Sequence, residues 1–435
     1  MFGIYEELCR LEQENKPIRM SIVGAGQMGR GLASQTVKMK GIVPAIVSDM
    51  YIDRAENALL NAGVPADEIK TAKTPDQAAD WLKHGKYVIT DDPQVAVQAE
   101  GIDCVVEATG STEHGARMAY DSIKAHKNIV MLNVETDVVV GPLLHKMARQ
   151  EGVVYTGSAG DEPGAVMELY DFAKALNLDI LAIGKGKNNK VDLTMTPDRA
   201  AAEAAEKRMN PRMLTSFIDG SKTMVELNAM SNATGFMPAV INGSGYEASV
   251  KELDQIYRLK SEGGILDNYG VVDYINGVAP GVFCIVTSPI EEVRREITYL
   301  KLGPGPNYCL YRPYHLASLE TPISVVRAVL YNKPSIVSTQ GAPFSETTTY
   351  AKRDLKAGEY LDCMGGYTVY GGLHPYQEAK QLNALPIGLV NERTRVKVDV
   401  KKGQMLTYDM VELDESSFLL SLRRQQEQML AEGLL

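Results

Sequence analysis

The chain is poor in cysteine, carries an excess of acidic residues and contains no long apolar run. Its five cysteines are scattered over 435 residues without a C-x-x-C pair. This usage excludes a disulfide framework or a zinc site of the usual spacing and predicts a reducing, cytoplasmic location. The net charge of −10 argues against nucleic acid and an anionic membrane as partners. No apolar run is long enough to span a bilayer, and segment 1–20 lacks the apolar core of a signal peptide.

The most informative stretch lies near the start, where an apolar strand runs into a glycine-rich turn and the beginning of a helix. Gly24, Gly26 and Gly29 have the G-x-G-x-x-G spacing of a dinucleotide-binding turn, with Gln27 and Met28 between them. In this motif the first glycine permits the tight turn, the second lets a pyrophosphate approach, and the third lets helix and strand pack closely. NAD or NADP is therefore the predicted cofactor.

The residues after the next predicted strand, 42–47, bear on the choice between the two cofactors. Asp49 lies twenty positions after Gly29, where a carboxylate can accept hydrogen bonds from the adenosine ribose. That position favours NAD. Arg54, on the following predicted helix, could instead hold a 2′-phosphate and would favour NADP. The sequence leaves both open.

Strands and helices alternate through residue 158, which predicts an α/β fold beginning with a Rossmann doubly wound parallel sheet. A buried strand is predicted at 102–110, and its small terminal residues are expected to leave room for the nicotinamide: Ala108, Thr109 and Gly110. Another strand is predicted at 128–137. Because ligands bind at the carboxyl ends of parallel strands, its polar tip, with Thr136, supplies two substrate-binding candidates, Asn133 and Glu135.

A lysine-rich segment follows the predicted strand 180–184. Segment 185–190 is interpreted as a flexible loop rich in hydrogen-bond donors, suited to a phosphate or a carboxylate. Lys187 and Lys190 are the candidate anion binders, and Asn189 is expected to hold a substrate hydroxyl. The alternative interpretation is a solvated basic turn.

Residues 198–234 are predicted to form two helices. Asp219, Lys222 and Glu226 have i, i+3, i+7 spacing and are expected to share one helix face, with Asn228 extending its polar side. Such a face could serve proton transfer or metal binding, or could simply be solvated. Lys222 is the preferred proton donor, and the two acids could orient it or bind a divalent cation. Lys187, Lys222, Asp219 and Glu226 form the predicted catalytic set, and Asn228 is a substrate-binding candidate.

Three further substrate-binding candidates lie in two unusual turns. Glu162 belongs to the glycine-rich break in the pattern at 157–164. Arg312 and His315 stand between prolines and tyrosines, where they could bind an anion or lie at a subunit interface. A structural histidine is the alternative for His315.

The pattern divides the chain into three predicted domains. Residues 1–158 form the NAD(P)-binding domain, 159–345 an α+β substrate-binding and oligomerisation domain, and 346–435 a small β-rich domain. In the last of these, 352–361 and 396–406 repeat a pattern of charged residues, a lysine–glycine turn and an apolar strand. The segment 415–432 is predicted to be a polar helix that packs on a neighbour.

The first half resembles homoserine dehydrogenase in Gly24-Ala-Gly-Gln-Met-Gly29 and in Val106-Glu-Ala-Thr-Gly110. The run Gly303-Pro-Gly-Pro-Asn-Tyr-Cys-Leu-Tyr-Arg-Pro-Tyr-His-Leu316 and the repeated lysine–glycine pattern resemble a narrower group. That group joins a homoserine-dehydrogenase-like oxidoreductase to a C-terminal SAF-type domain and includes the NADPH-dependent 1-deoxy-D-xylulose 5-phosphate reductoisomerase-like (DXR-like) enzymes. Homoserine dehydrogenases have a lysine where this chain has Asn133-Val-Glu-Thr136. The resemblance therefore implies a relative with its own substrate.

The leading hypothesis is an NAD(P)-dependent oxidoreductase of the dehydrogenase class that transfers a hydride to or from a small polar compound. The resemblance implies a sugar phosphate substrate and a homo-oligomer. One alternative is a homoserine-type, sugar-acid or polyol dehydrogenase without rearrangement. Another is a binding protein that senses a dinucleotide without turnover. The donor-rich segments 185–190 and 219–232 favour an enzyme.

Overall fold

A computed structural model describes residues 3–435, which group into two compact units. The first contains the residues up to Asp161 together with 316–337 and 422–435, and the second contains 162–315 and 338–421. The three predicted domain boundaries stay predictions. The units divide the chain differently, because residues 422–435, assigned above to the third domain, belong to the first unit.

The first unit is built on a sheet of seven parallel strands. In space the order is third, fourth, second, first, fifth, sixth, seventh, so the order reverses beside the first strand. Ligands bind at such a reversal in open α/β sheets. The predicted α/β fold is confirmed. The strands are Ile18–Val23, Ile42–Ser48, Ile69–Thr71, Tyr87–Thr90, Cys104–Glu107, Asn128–Met131 and Tyr155–Gly157.

Helices accompany this sheet, and its inner strands are buried almost throughout, as expected for a parallel sheet between helical layers. Short 3₁₀ turns at Ala66–Glu68 and Ala317–Glu320 connect some of the elements. The helices are Ile4–Gln13, Gln27–Thr36, Ile52–Asn61, Pro75–Lys83, Pro93–Gln98, Thr112–Lys124, Val134–Glu151 and Thr321–Tyr331.

The strand predicted at 128–137 is too long. It ends at Met131, and the helix Val134–Glu151 begins immediately afterwards. Asn133 is the N-cap: its side-chain oxygen accepts a hydrogen bond from the Thr136 N–H at 3.2 Å. Asparagine is among the preferred N-cap residues because it satisfies an N–H that the first helical turn leaves unpaired. The polar tip is therefore the first turn of a helix.

The second unit contains a six-stranded mixed sheet and a C-terminal antiparallel pair. Its central strand, Asp179–Lys187, runs parallel to Val271–Asn276 and antiparallel to Val282–Thr287. The sheet is completed by Met237–Pro238, Tyr246–Glu247 and Tyr308–Arg312. The predicted α+β character of this region is confirmed.

The helices of the second unit include three where two were predicted, because Gly220 separates Pro211–Ile218 from Ser221–Thr234. Gly220 has φ 86°, a left-handed conformation that glycine adopts without a Cβ penalty. The remaining helices are Glu162–Ala175, Pro197–Glu206, Leu253–Ile256, Glu291–Tyr299 and Tyr376–Gln381, with 3₁₀ turns at Val250–Glu252, Lys260–Glu262, Ile387–Leu389 and Tyr408–Met410.

The C-terminal part of this unit pairs Ser345–Ala351 with Val369–Pro375 in antiparallel register. The repeated segments 352–361 and 396–406 lie side by side, but through isolated bridges rather than long strands. Leu355 and Val400 exchange backbone hydrogen bonds of 2.9 and 3.0 Å. One further short pair joins Arg395–Val396 to Val411–Glu412. Among residues 3–435, no helix is both long and apolar enough to cross a membrane.

The last helix, Phe418–Ala431, contacts another helix of its own chain, and its packing on a neighbour stays a prediction. In the first unit its fully buried Gln426 contacts the helix Val134–Glu151 near Pro142, which has no N–H to donate. The Gln426 side chain accepts a hydrogen bond from the Leu143 N–H at 3.1 Å and donates one to the Val139 carbonyl at 3.0 Å. One side-chain amide thus bonds both a backbone N–H and a backbone carbonyl of the helix beside its proline.

The Gln426 amide should therefore contribute measurably to stability. We expect Gln426→Ala to lower the free energy of unfolding by about 1–3 kcal/mol, because it leaves a buried N–H without its acceptor. The matched control is Gln425→Ala on the exposed side of the same helix, expected to change stability by less than about 0.5 kcal/mol. Chemical denaturation monitored by circular dichroism measures both. Equal effects of the two substitutions would contradict the role assigned to Gln426.

Candidate functional site

The glycine turn of the first unit has the geometry of a phosphate-binding turn. Gly24 has φ +102°, and a Cβ there would lie 2.9 Å from the Ala108 carbonyl carbon. A Cβ on Gly29 would lie 1.8 Å from the Gly24 carbonyl oxygen, so only glycine allows this helix to approach the strand. A Cβ on Gly26, by contrast, would meet nothing within 4 Å. The second glycine therefore borders open space, where a pyrophosphate would lie.

Gly26 is also the N-cap of the helix Gln27–Thr36. Within the described residues, no side chain caps this helix. Its first N–H groups and the positive end of its dipole are thus suited to an anion. Gln27 and Met28 occupy the first turn, as the sequence predicted. These residues fit a dinucleotide, and their assignment to a cofactor stays a prediction.

Asp49 links the glycine turn to the chain beyond the second strand. Its Oδ2 accepts a hydrogen bond from the Ala25 N–H at 2.8 Å, and its Oδ1 accepts one from the Tyr51 N–H at 3.0 Å. Each carboxylate oxygen has a second lone pair, so the group keeps capacity for a ribose hydroxyl. The Arg54 guanidinium lies 4.4 Å from the centre of the exposed Tyr51 ring. Both arguments about cofactor preference therefore stand.

The loop after the fifth strand lies directly beside the glycine turn. The Ala108 N–H donates to the Val23 carbonyl at 2.8 Å, and Gly110 has φ +74°. The sequence predicted Ala108, Thr109 and Gly110 as cofactor residues, and the structure brings this loop next to Gly24.

Asn133 is 1% exposed and donates to the Ser111 carbonyl at 2.9 Å. Asn133 and the buried Glu135 lie at the start of the helix Val134–Glu151. Substrate contact by either residue stays a prediction.

Segment 185–190 is only partly a loop, since the strand Asp179–Lys187 continues through its first three residues. A Cβ on Gly184 would lie 2.1 Å from the Asp273 carbonyl oxygen. Neighbouring backbone therefore covers the strand face that carries this glycine. Gly186 is equally restricted, with the Ala279 nitrogen at 2.3 Å. Because side chains alternate along a strand, Lys185 and Lys187 share the other face. Both are only 6% exposed.

Lys185 lies at the centre of a buried ion cluster. Its Nζ lies 2.6 Å from Glu162 Oε1 and also contacts Glu226 Oε2. Burial by itself lowers the pKa of Lys185, but the two carboxylates outweigh it and the net pKa is raised. The ammonium is therefore held in its charged form. We call Glu162, Lys185 and Glu226 the lysine–carboxylate cluster.

The acids of this cluster have unequal surroundings. Burial, followed by the charge of Glu162, raises the pKa of Glu226 to about 7, against the opposing effects of Lys185 and Lys222. Glu162 Oε1 is also 3.4 Å from His315 Nε2. The structure thus brings together Glu162, Glu226 and His315, which are far apart in sequence. A divalent cation at the two carboxylates would have to displace the Lys185 ammonium, and the cation stays a prediction.

Lys187 differs from its neighbour Lys185 because, in the part of the chain that the structure describes, no carboxylate forms an ion pair with it. Its Nζ donates to the Phe217 carbonyl at 2.6 Å. Burial and then the positive charge of Lys185 lower the pKa of Lys187 to about 8, despite the opposing acids Glu226 and Asp219. An ammonium with such a pKa can give and regain a proton near neutral pH. The predicted catalytic residue Lys187 is therefore well placed chemically, although not on a loop.

The predicted face of Asp219, Lys222 and Glu226 does not form. Asp219 ends the helix before Gly220, whereas Lys222 and Glu226 lie on the next helix at i, i+4 spacing. Asp219 is fully buried, and its carboxylate lies 2.7 Å from Lys352 Nζ. The prediction for Asp219 was wrong in its placement, because the left-handed Gly220 starts a new helix.

The remaining predicted substrate residues are divided between buried and exposed positions. Asn228 is fully buried, with its side-chain amide 3.0 Å from Thr347 Oγ1. Arg312 is 9% exposed, and its Nη1 lies 3.3 Å from Glu168 Oε2. Asn189 is half-buried, and the largely exposed Lys190 lies 3.2 Å from Glu247. Lys190 therefore has the environment of the solvated alternative.

Sequence reasoning did not select Lys185, the residue that organises the cluster. The signal was the alternation Gly184-Lys-Gly-Lys187 directly after an apolar run. Two glycines at alternate positions mark a strand face closed by neighbouring backbone, which places both lysines on the opposite, packed face. Reading the segment as a loop hid this signal.

Residues 160–321 match the family model described as the catalytic domain of oxidoreductase DRL. This segment contains the lysine–carboxylate cluster and Lys187. The match supports an oxidoreductase. No curated protein matches the chain.

Among solved structures, the chain is similar to a probable dehydrogenase from Thermotoga maritima, with 14% identity, 74% of this chain and 91% of that chain covered, and a TM-score of 0.42. It is also similar to scyllo-inositol dehydrogenase from Lactobacillus casei, solved with NAD(H) and scyllo-inositol, at 13% identity, 74% and 92% coverage and a TM-score of 0.41. A third is UDP-N-acetylglucosamine 3-dehydrogenase from Acidithiobacillus ferrooxidans, at 12% identity, 74% and 92% coverage and a TM-score of 0.40.

The buried pair of Asp219 and Lys352 predicts a structural rather than a catalytic role for Asp219. Lys352 Nζ also donates to the carbonyls of Met195 and Gly366 at 2.8 and 2.7 Å. We expect Lys352→Met to lower the free energy of unfolding by about 3–5 kcal/mol, because it leaves the Asp219 carboxyl group buried without its partner. The measurement is a urea titration.

The control for this prediction is Lys356→Met, which removes an exposed ion pair with Asp399 and should cost less than about 1 kcal/mol. A catalytic Asp219 would give a different result. In that case Asp219→Asn would reduce turnover while Lys352→Met left stability close to that of the control.

Proposed function

We propose that this chain is an NAD(P)-dependent oxidoreductase that transfers a hydride between the nicotinamide and a small polar carbonyl or hydroxyl compound. The observation that carries the proposal is Lys187, a buried lysine whose pKa is lowered to about 8. It lies within the segment that matches an oxidoreductase catalytic domain. The glycine turn of the first unit supports the cofactor assignment.

The first unit would hold the dinucleotide, which supplies the hydride when bound. The backbone at Gly26 and the first turn of the helix Gln27–Thr36 would bind the pyrophosphate. Asp49 would accept a hydrogen bond from the adenosine ribose while its bonds to the Ala25 and Tyr51 N–H groups keep it in place. Ala108, Thr109 and Gly110 would border the nicotinamide.

In the second unit, Lys187 would donate a proton to the oxygen of the reduced carbonyl and take it back in the oxidising direction. The Phe217 carbonyl holds its Nζ in place, and burial together with the fixed charge of Lys185 lowers its pKa to about 8. This assignment moves the role of proton donor from Lys222 to Lys187. Lys222, 9% exposed on the same helix as Glu226, would then help to bind an anionic part of the substrate.

A sugar phosphate, as in the DXR-like reductoisomerases, is the finer proposal for the substrate. Lys222, Arg312 and His315 are its candidate anion binders. A second candidate is dehydrogenation of a polyol or sugar acid without rearrangement. It is favoured by the Lys185 ammonium between Glu162 and Glu226, because an α-ketol rearrangement benefits from a metal ion where this site already has a lysine.

These alternatives are separated by a screen of cofactor oxidation and reduction. Small ketoses, aldoses, polyols and their phosphates would be tested with NAD and NADP in parallel. Product analysis then decides, since only a reductoisomerase forms a branched carbon skeleton. Binding of a dinucleotide without turnover of any compound would favour a sensor instead.

The proton-transfer role of Lys187 predicts a specific pH dependence. Reduction needs the ammonium form, so the rate should fall as the pH rises through about 8, and oxidation should increase over the same range. Lys187→Met should lower kcat by about 100-fold or more in both directions and abolish this dependence. Lys251→Met, an exposed lysine of the same unit, is the control. An unchanged pH profile in Lys187→Met would contradict the assignment.

The charge of Asp49 predicts a preference for NAD. Asp49→Asn keeps an acceptor oxygen for the Ala25 N–H but removes the charge that would repel a 2′-phosphate. We expect the ratio of NADPH to NADH affinity to rise about tenfold, which corresponds to about 1.4 kcal/mol. Asp76→Asn, an exposed acid in the first unit, is the control. Calorimetric titration measures both ratios, and equal ratios in the wild type and Asp49→Asn would contradict the prediction.

A further inference from the structure

The functional roles above leave one fully buried acid of the first unit unexplained. Glu107 is the last residue of the strand Cys104–Glu107 and is 0% exposed. Its Oε1 accepts hydrogen bonds from both donors of Thr109, the backbone N–H at 2.8 Å and the side-chain hydroxyl. One carboxylate oxygen therefore fixes the backbone and the side chain of the same loop residue.

The second oxygen of this carboxylate is in a different position. Glu107 Oε2 is buried and, among residues 3–435, has no hydrogen-bond partner of normal geometry. The Asn133 amide faces the group, and a Cβ on Gly115 would lie 3.3 Å from Oε2 and 2.7 Å from Asn133 Nδ2. A glycine on the neighbouring helix thus makes room for an acid that is only half satisfied. Such an arrangement costs stability, so an apolar side chain would serve folding alone better.

The loop that Glu107 fixes is also the loop that packs against the glycine turn. The Ala108 N–H donates a hydrogen bond to the Val23 carbonyl. A Cβ on Gly24 would lie only 2.9 Å from the Ala108 carbonyl carbon. Since the backbones of Gly24 and Ala108 are in close contact, a shift at Thr109 must be transmitted to the turn. Interiors packed this tightly transmit strain instead of absorbing it.

We propose that Glu107 is a positioning residue of the dinucleotide-binding turn: by holding both donors of Thr109, it fixes the loop 108–110 against Gly24 in the shape that binds the dinucleotide. The inference rests on the proposed function, because it requires a dinucleotide at this turn. It assigns to Glu107 a role that acts through Thr109 rather than through contact with the reacting atoms.

The buried position of Glu107 also shifts the pKa of its carboxyl group. Burial raises the pKa of Glu107 to about 7, while the hydrogen bonds from Thr109 and the nearby Asn133 amide oppose the rise and the charge of Glu135 adds to it. Near neutral pH both the acid and the carboxylate are accessible. Oε1 can accept from Thr109 in either form.

The test compares two substitutions of Glu107 in the full chain. Glu107→Gln keeps a side-chain oxygen for Thr109, whereas Glu107→Leu removes both oxygens at similar volume. We expect dissociation constants for NADH and NADPH within about threefold of the wild type for Glu107→Gln, and about tenfold or more above it for Glu107→Leu, since a tenfold change corresponds to about 1.4 kcal/mol. Titration calorimetry measures them, and thermal unfolding of each variant is recorded in parallel.

Two further variants distinguish positioning from general destabilisation. Asp137→Asn alters another buried acid of the first unit, bonded to Tyr155 at 2.9 Å, and should leave dinucleotide affinity unchanged. Thr109→Val should weaken binding alone, but should add less than about twofold in combination with Glu107→Leu, because both act through one contact. If Glu107→Leu does not fold, Thr109→Val against Thr109→Ser gives the same comparison, with serine expected to retain affinity.

The possible failures are distinguishable. If the wild type binds neither dinucleotide, the proposed function fails and this inference with it. If the wild type binds and Glu107→Leu binds equally well, the inference alone is overturned. Independent, multiplicative effects of the substitutions at Glu107 and Thr109 would also overturn it.

Discussion

The burial of the Lys185 ammonium between two carboxylates is the interaction on which the chemistry of the second unit depends. An isolated charge in such a place would be strongly destabilised, and the lysine would lose its proton instead. Glu162 and Glu226 keep it charged. Lys187 lies two positions along the same strand face, where burial and, after it, that fixed charge lower its pKa. Burial together with one ion cluster thus gives two lysines with opposite pKa shifts: one is held in its charged form and the other is able to exchange a proton.

The sequence predicted the first unit well because its signals are local. The spacing of Gly24, Gly26 and Gly29 and the alternation of apolar strands with amphipathic helices depend only on neighbouring residues. The errors arose where two local signals compete. The apolar run 129–132 favoured a longer strand, but Asn133 followed by two acids is a helix start. Gly220 likewise divides a run that is otherwise helical in composition.

The candidate site of the second unit was predictable only in part, because its partners come from distant segments. Lys187, Glu226 and His315 could be selected as chemically capable residues, but their surroundings could not. The partner of Asp219 is Lys352, in a segment predicted as part of another domain. Nothing at position 219 indicates that partner. The acid therefore looked available for catalysis when it is held in a buried ion pair.

The buried acids of this chain suggest how a structural role can be distinguished from a functional one. Asp219 has Lys352 as its own counter-ion, and that lysine is itself bonded to two carbonyls, so the charge balance of the pair is complete. Glu226 shares its counter-ion with Glu162, and Glu107 has one oxygen without a hydrogen-bond partner of normal geometry among the described residues. A buried network with complete charge balance serves folding, because removing either partner would leave an uncompensated buried charge. Incomplete ones cost stability, and proteins keep them where a shifted pKa or a fixed loop is needed. This criterion is consistent with the functional roles proposed for Glu226 and Glu107 and with the structural role proposed for Asp219.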